Sequence, residues 1–173
     1  MLQKLKQRKS QSGFTIIEVL IVLAIAGLII LILFRAVPAL QRNAHNTSAK
    51  DDAAGLLGAV NEFVNNNDGS VPAAQTVSGT AGTNVAYIGG SGSATNCGTA
   101  GTNCATAKVG YFDPSKISIV TTIPGTFPAQ GSVVIVEGAT CSGSAATTTG
   151  ATIRNYVALY TLEGGAQQCQ IGS

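Results

Sequence analysis

The sequence predicts an α+β fold on three observations. An apolar run near the start is long enough to be a membrane-crossing helix. A one-sided apolar stripe at helical spacing follows it, and beyond that come short β-branched runs divided by turn residues. The expected architecture is a long N-terminal α-helix, transmembrane in its first half and amphipathic in its second, packed on a small antiparallel β-sheet head. The boundaries read as a basic leader at 1–13, a hydrophobic helix at 14–36, an amphipathic helix at 37–69 and a β-rich head at 70–173.

The first element is FTIIEVLIVLAIAGLIILILF, Phe14 to Phe34, 21 residues with one ionisable group, Glu18. At about 1.5 Å rise per residue it crosses a hydrocarbon layer of roughly 30 Å. A cleaved secretory signal has a shorter apolar core, of about 7–15 residues. Lys4, Lys6, Arg8 and Lys9 precede the run with no acid among them, and the positive-inside rule then places the N-terminus in the cytoplasm and everything after Phe34 outside. From Phe14 onward six basic residues face eight acidic ones. The basic segment is thus a topology signal, and no clustered Lys/Arg footprint for nucleic acid is visible.

Glu18 needs an explanation, because a carboxylate within a membrane helix costs about 2.5–3.5 kcal/mol. Four residues earlier stands Phe14, directly after Gly13. A cut between these two would give Phe14 a free α-amine, and a neighbouring subunit's amine would neutralise Glu18.

The segment Gly13-Phe14-Thr15-Ile16-Ile17-Glu18-Val19-Leu20 resembles the class III signal of type IV prepilins and pseudopilins. In that family a short basic leader ends in Gly, the next residue is usually Phe, and Glu stands fifth in the mature chain. The resemblance covers roughly Lys4 to Phe34. It implies the pilin fold, cleavage between Gly13 and Phe14 by a prepilin peptidase, and N-methylation of Phe14. It also implies assembly into a helical homopolymer through Phe14 and Glu18, served by a pilus assembly platform and its ATPase machinery at the cytoplasmic membrane. Gly at the cut suits an enzyme that must bring the backbone close to its catalytic groups.

The second element begins after Pro38, which is expected to kink the helix. Ala53, Leu56, Leu57, Val60, Phe63 and Val64 form one helical stripe, with Asp51, Asp52, Asn61, Glu62 and Asn65 outside it. Asn65-Asn66-Asn67-Asp68-Gly69 is a C-terminal stop. Counted from Phe14, a continuous helix would extend roughly 80 Å. His45 has no carboxylate or thiol at ligand spacing and reads as a solvated side chain, and Asn46-Thr47-Ser48 matches a glycosylation sequon that is common by chance.

The third element is the head. Val71–Lys108 is dominated by Gly, Ala, Ser, Thr and Asn and reads as a surface excursion with one short strand, Val85–Ile88. Further strands are expected at Val109–Phe112, Ile117–Ile123, Val133–Val136 and Ile153–Leu162, about four of them forming an antiparallel sheet against the Ala53–Val64 face. Four cysteines, Cys97, Cys104, Cys141 and Cys169, show no C-x-x-C spacing and favour disulfides over a zinc site. Of the three possible pairings, Cys141–Cys169 with Cys97–Cys104 is preferred, because it closes the last stretch onto the strand ending near Glu137 and because pilins often carry a C-terminal disulfide-bounded region. The head has no histidine, paired carboxylates, G-x-S-x-G or phosphate loop. No enzyme activity, catalytic residue, metal or cofactor is therefore expected. Glu137 and Arg154 are a candidate ion pair. The functional reading is a structural subunit of a type IV pilus, in adhesion, motility or DNA uptake, held in the membrane as a precursor and then carried into an extracellular filament. The alternative is a pseudopilin of a secretion or competence system.

Overall fold

The structure, a computed structural model, describes residues 13–72, 84–89 and 104–172. They fall into two compact units, Met1–Gln41 and Arg42–Ser173. The fold is α+β: among the described residues helix α1 (Ile16–Asn66) precedes eight strands. These are β1 (Val85–Ile88), β2 (Ala105–Lys108), β3 (Ile117–Val120), β4 (Val133–Glu137), β5 (Thr140–Ser142), β6 (Ala145–Thr147), β7 (Tyr156–Thr161) and β8 (Gln167–Gly172).

In the first unit, Pro38 lies inside α1 and the helix continues through it. No residue of the apolar span is buried within the chain, and Ile16, Leu28, Leu31 and Phe34 are all widely exposed. By length and composition this part of α1 is suited to crossing a membrane.

In the second unit, α1 buries Ala49, Asp52, Ala53, Leu56, Leu57, Ala59, Val60, Phe63 and Val64. The stripe read from the sequence is present in full. Asp52 departs from the expectation, since it lies on the buried side. The helix ends as the asparagine run predicts: Gly69 adopts φ +81° and its N–H donates to the Val64 carbonyl at 2.8 Å. Asn67 Nδ2 adds a bond to the Phe63 carbonyl at 2.8 Å, so two late carbonyls are satisfied.

Opposite the helix lies a four-stranded sheet in the order β3-β4-β7-β8. It is mixed rather than wholly antiparallel, because β3 and β4 pair parallel while the other neighbours are antiparallel. Residues 121–132 make the crossover that parallel pairing needs, about a dozen residues. Val133 and Ile135 of β4 and Tyr156, Ala158 and Tyr160 of β7 join the helix residues in the main core. The intervening Val136, Val157 and Leu159 build a second, smaller cluster with Phe127, Cys141, Ala146 and Cys169. Both faces of β7 are thus covered, and the β5–β6 hairpin supplies part of the second cover.

Three expected strands change. Val109–Phe112 is a turn rather than a strand, the strand beginning at Ile117 stops at Val120, and the one placed at Ile153–Leu162 is confined to Tyr156–Thr161. Within the Val71–Lys108 excursion two segments are core-forming: β1 and β2 pair antiparallel, with Ala86, Ile88, Ala105 and Ala107 buried. Three alanines and one isoleucine, each alternating with an outward residue, give this strand pair a thin apolar face that its polar composition conceals. Cys141 is bonded to Cys169 with their Cα atoms 5.7 Å apart, which ties β5 to β8.

Candidate processing and assembly site

Gly13, Phe14 and Glu18 stand together at the start of α1. Gly13 is exposed, and a Cβ added there would meet nothing within 4 Å. Among the described residues nothing packs against this position. Phe14 is 90% exposed, the most exposed of the large apolar residues among those described.

Thr15 caps the helix. Its backbone N–H donates to Glu18 Oε2 at 2.8 Å, its hydroxyl donates to the same oxygen at 2.7 Å, and Glu18 N–H reaches Thr15 Oγ1 at 3.4 Å. This reciprocal arrangement is a capping box, with Thr15 at the N-cap and Glu18 three residues on. The T-x-x-E spacing before an apolar run is its sequence signature. It changes the reading of Glu18, because the carboxylate has a partner within its own chain and sits at the end of the helix that favours an anion. Both bonds fall on Oε2. The four basic residues expected to precede this site lie outside the described residues.

In the C-terminal unit the polar anchors were hidden from sequence reading. Asp52 Oδ2 accepts backbone N–H bonds from Gly110, Tyr111 and Phe112 at 2.8, 2.6 and 3.2 Å. Three consecutive amides converge on one carboxylate oxygen, which pins to α1 the turn that sequence pattern assigns to a strand. Spacing along the helix carries no signal for it, since the partners lie about 60 residues away.

His45 is not free of carboxylates. Its Nδ1 lies 2.5 Å from Glu163 Oε1, and the neighbouring Asn46 accepts the Glu163 N–H at 2.9 Å. Both contacts fasten the β7–β8 turn to the helix, and they leave Asn46 engaged in the fold. The Tyr111 ring lies 6.0 Å from the His45 ring, and burial together with the Glu163 charge raises the Tyr111 phenol above its usual range.

The Glu137–Arg154 pair does not form. Among the described residues His45–Glu163 is the one ion pair. Glu137 is 7% exposed, while exposed Arg154 lies over Gly69 at the end of α1. Cys104 is disulfide-bonded, and Cys97, its expected partner, lies outside the described residues. Among the described residues no cluster of His, Cys, Asp or Glu could hold a metal ion.

An apolar, uncovered helical span whose first turn carries its sole carboxylate, followed by an α+β unit stapled by a disulfide, is suited by length and composition to a membrane-anchored protein. Comparison with known families sharpens this: residues 8–34 match the prokaryotic N-terminal methylation motif. That motif is the class III prepilin-type signal of type IV pilins and pseudopilins, and it supports a pilin-like or pseudopilin precursor that is anchored in the membrane. It points to a structural subunit rather than an enzyme, and implies processing by a prepilin peptidase and service by pilus assembly machinery. Searches of the curated proteins and of the solved structures find no match.

Proposed function

We propose that this chain is a structural subunit of a type IV pilus. A prepilin peptidase cuts the Gly13–Phe14 bond on the cytoplasmic side and methylates the new Phe14 amine. The mature subunit, anchored through residues 14–36 with residues 37–69 and the head at 70–173 outside, then polymerises through α1 into an extracellular filament. The observation that carries this reading is the methylation motif over residues 8–34.

Three structural features support it. Among the described residues a Cβ at Gly13 would meet nothing within 4 Å, and a peptidase that approaches the backbone closely supplies a reason for a glycine there. The apolar half of α1 has no cover within its own chain, so lipid or neighbouring helices must supply it. Ile30, Leu33, Phe34, Val37 and Pro38 present an open apolar surface along that half, available to lipid or to a neighbouring helix. In the filament, a neighbour's Phe14 amine pairs with Glu18.

N-terminal sequencing of subunits sheared from cells tests this reading. A methylated Phe14 start supports it, and a chain starting at Met1 would exclude processing. Gly13→Val places a branched side chain at the cut and should leave the uncut precursor in the membrane, seen as the larger species on an immunoblot. A pseudopilin role rests on the same motif, which pseudopilins share. It predicts processed protein in cells whose long surface fibres survive deletion of this chain, whereas the pilin role predicts that those fibres disappear.

A further inference from the structure

Among the described residues, Glu137 carries the one buried side-chain oxygen without a hydrogen-bond partner, Oε1. Native interiors leave few such atoms, and each needs a physical reason. Glu137 closes β4 and, by the two-residue period of a strand, shares a face with Val133 and Ile135, which belong to the core covered by α1. In register it stands opposite Tyr156, and Tyr156 stands opposite Gly172.

Among the described residues, the groups packed against this position offer the carboxylate no counter-charge. The strands β3 (Ile, Ser, Ile, Val) and β8 (Gln, Gln, Cys, Gln, Ile, Gly) hold no ionisable side chain apart from disulfide-bonded Cys169. From β7 come only Tyr156 and Tyr160, whose phenols burial raises. Their hydroxyls donate to Asn61 and Gln170 respectively. On α1, Asp52 is committed to the amides of residues 110–112, Glu62 is exposed, and His45 is paired with Glu163. Arg154, two residues before β7, lies against Gly69 instead.

We propose that Glu137 is a proton-operated latch on the seam between β4 and α1. Protonated, it rests in the apolar face as a neutral acid. Ionised, it places an uncompensated charge there and loosens the C-terminal unit around the β4–β7 pairing. This goes beyond the pilus reading and does not depend on it.

Burial alone raises this carboxyl from 4.5 to about 7. The folded state therefore holds a proton that the unfolded chain releases. Stability is full below about 4.5 and declines as pH rises to about 7, by up to about tenfold in the folded-to-unfolded ratio per pH unit, and it levels off above that. Over the whole window the loss reaches about 300-fold.

The experiment uses the full chain in detergent micelles and follows denaturant unfolding through the tyrosine near-UV circular dichroism signal at pH 4.5 to 8.5. Glu137→Gln keeps the shape and cannot ionise. The expected result is that the unsubstituted chain loses roughly 100-fold or more in its folded-to-unfolded ratio relative to Glu137→Gln between the two ends of that range. Other titrating groups, such as Asp113, are common to both chains and cancel. A difference between the two chains that does not vary with pH overturns the proposal. Should Glu137→Gln fail to fold, carbon-13 NMR of the Glu137 carboxyl in the unsubstituted chain decides: a midpoint near 7 supports the latch, and a midpoint in the ordinary range of about 4–5 overturns it.

Discussion

Asp52 offers the sharpest measurable consequence in the C-terminal unit. Its Oδ2 holds three backbone amides, at Gly110, Tyr111 and Phe112, and the last of these bonds is buried. Asp52→Asn still presents one oxygen to the same amides but removes the charge. A hydrogen bond to a charged group contributes about 1.5–3 kcal/mol and a neutral one about 0.5–1.5. Gly110 is exposed and water replaces part of its bond, so the expected loss is about 2 kcal/mol. Asp52→Ala leaves all three donors without an acceptor, at about 1–3 kcal/mol for each that stays buried, or about 4 kcal/mol in total. For a unit the size of Arg42–Ser173 these losses lower Tm by about 6 °C and about 12 °C respectively. All four tyrosines, Tyr87, Tyr111, Tyr156 and Tyr160, lie in this unit, so near-UV circular dichroism during heating of the full chain reports its unfolding without interference from the apolar span. Glu62→Ala, on the exposed side of the same helix, is the control and should shift Tm little. The reasoning is refuted if Asp52→Ala melts within about 2 °C of the unsubstituted chain, or if alanine and asparagine are equivalent.

Two further predictions concern single positions. Glu18→Gln keeps the capping geometry and loses the charge, whereas Glu18→Ala loses both. If the amine–carboxylate pairing drives assembly, both variants are cleaved normally and both lower the yield of sheared fibres, and normal yield from Glu18→Gln would assign the residue to helix capping alone. Gly172→Ala places a Cβ into the Tyr156 ring and 3.1 Å from Leu57 Cδ2. That ring is held by its hydroxyl on Asn61, so the overlap costs about 1–3 kcal/mol, read as a lower denaturant midpoint.

Wherever a regular period met a matching surface, sequence and structure coincide. The stripe from Ala53 to Val64 is buried as its spacing predicts, and the stop at Asn65–Gly69 falls where the left-handed glycine ends the helix. Position along the chain was enough to find Gly13, Phe14 and Glu18, because the motif is contiguous. Non-local partners were not legible. Asp52 reads as a polar outlier on the helix, and only backbone amides about 60 residues away make its burial favourable. Strand β8 is built from three glutamines, a cysteine, an isoleucine and a glycine, of which Ile171 alone has a marked intrinsic preference for strands. Its existence depends on pairing with β7 and on the disulfide to β5. The parallel pairing of β3 and β4 is likewise a property of the crossover, which local composition does not encode. The capping box from Thr15 to Glu18, by contrast, is legible, because T-x-x-E is a contiguous spacing before an apolar run.

The placement of β8 also sets a timetable for synthesis. The apolar stripe of α1, Leu56 to Val64, is among the earliest parts of the C-terminal unit to leave the ribosome, and β8, which closes the sheet beside it, is the latest of the described strands. At roughly 5–20 residues per second the delay between them is on the order of 10 s. During that interval the stripe has no completed sheet to cover it. Pairings between segments so far apart in sequence also close slowly once both are available. A nascent chain halted before Gln167 would therefore expose Leu56, Leu57, Val60 and Phe63 together, a surface that favours aggregation. The interval between translating the helix and translating its cover is thus the period in which this subunit is most vulnerable.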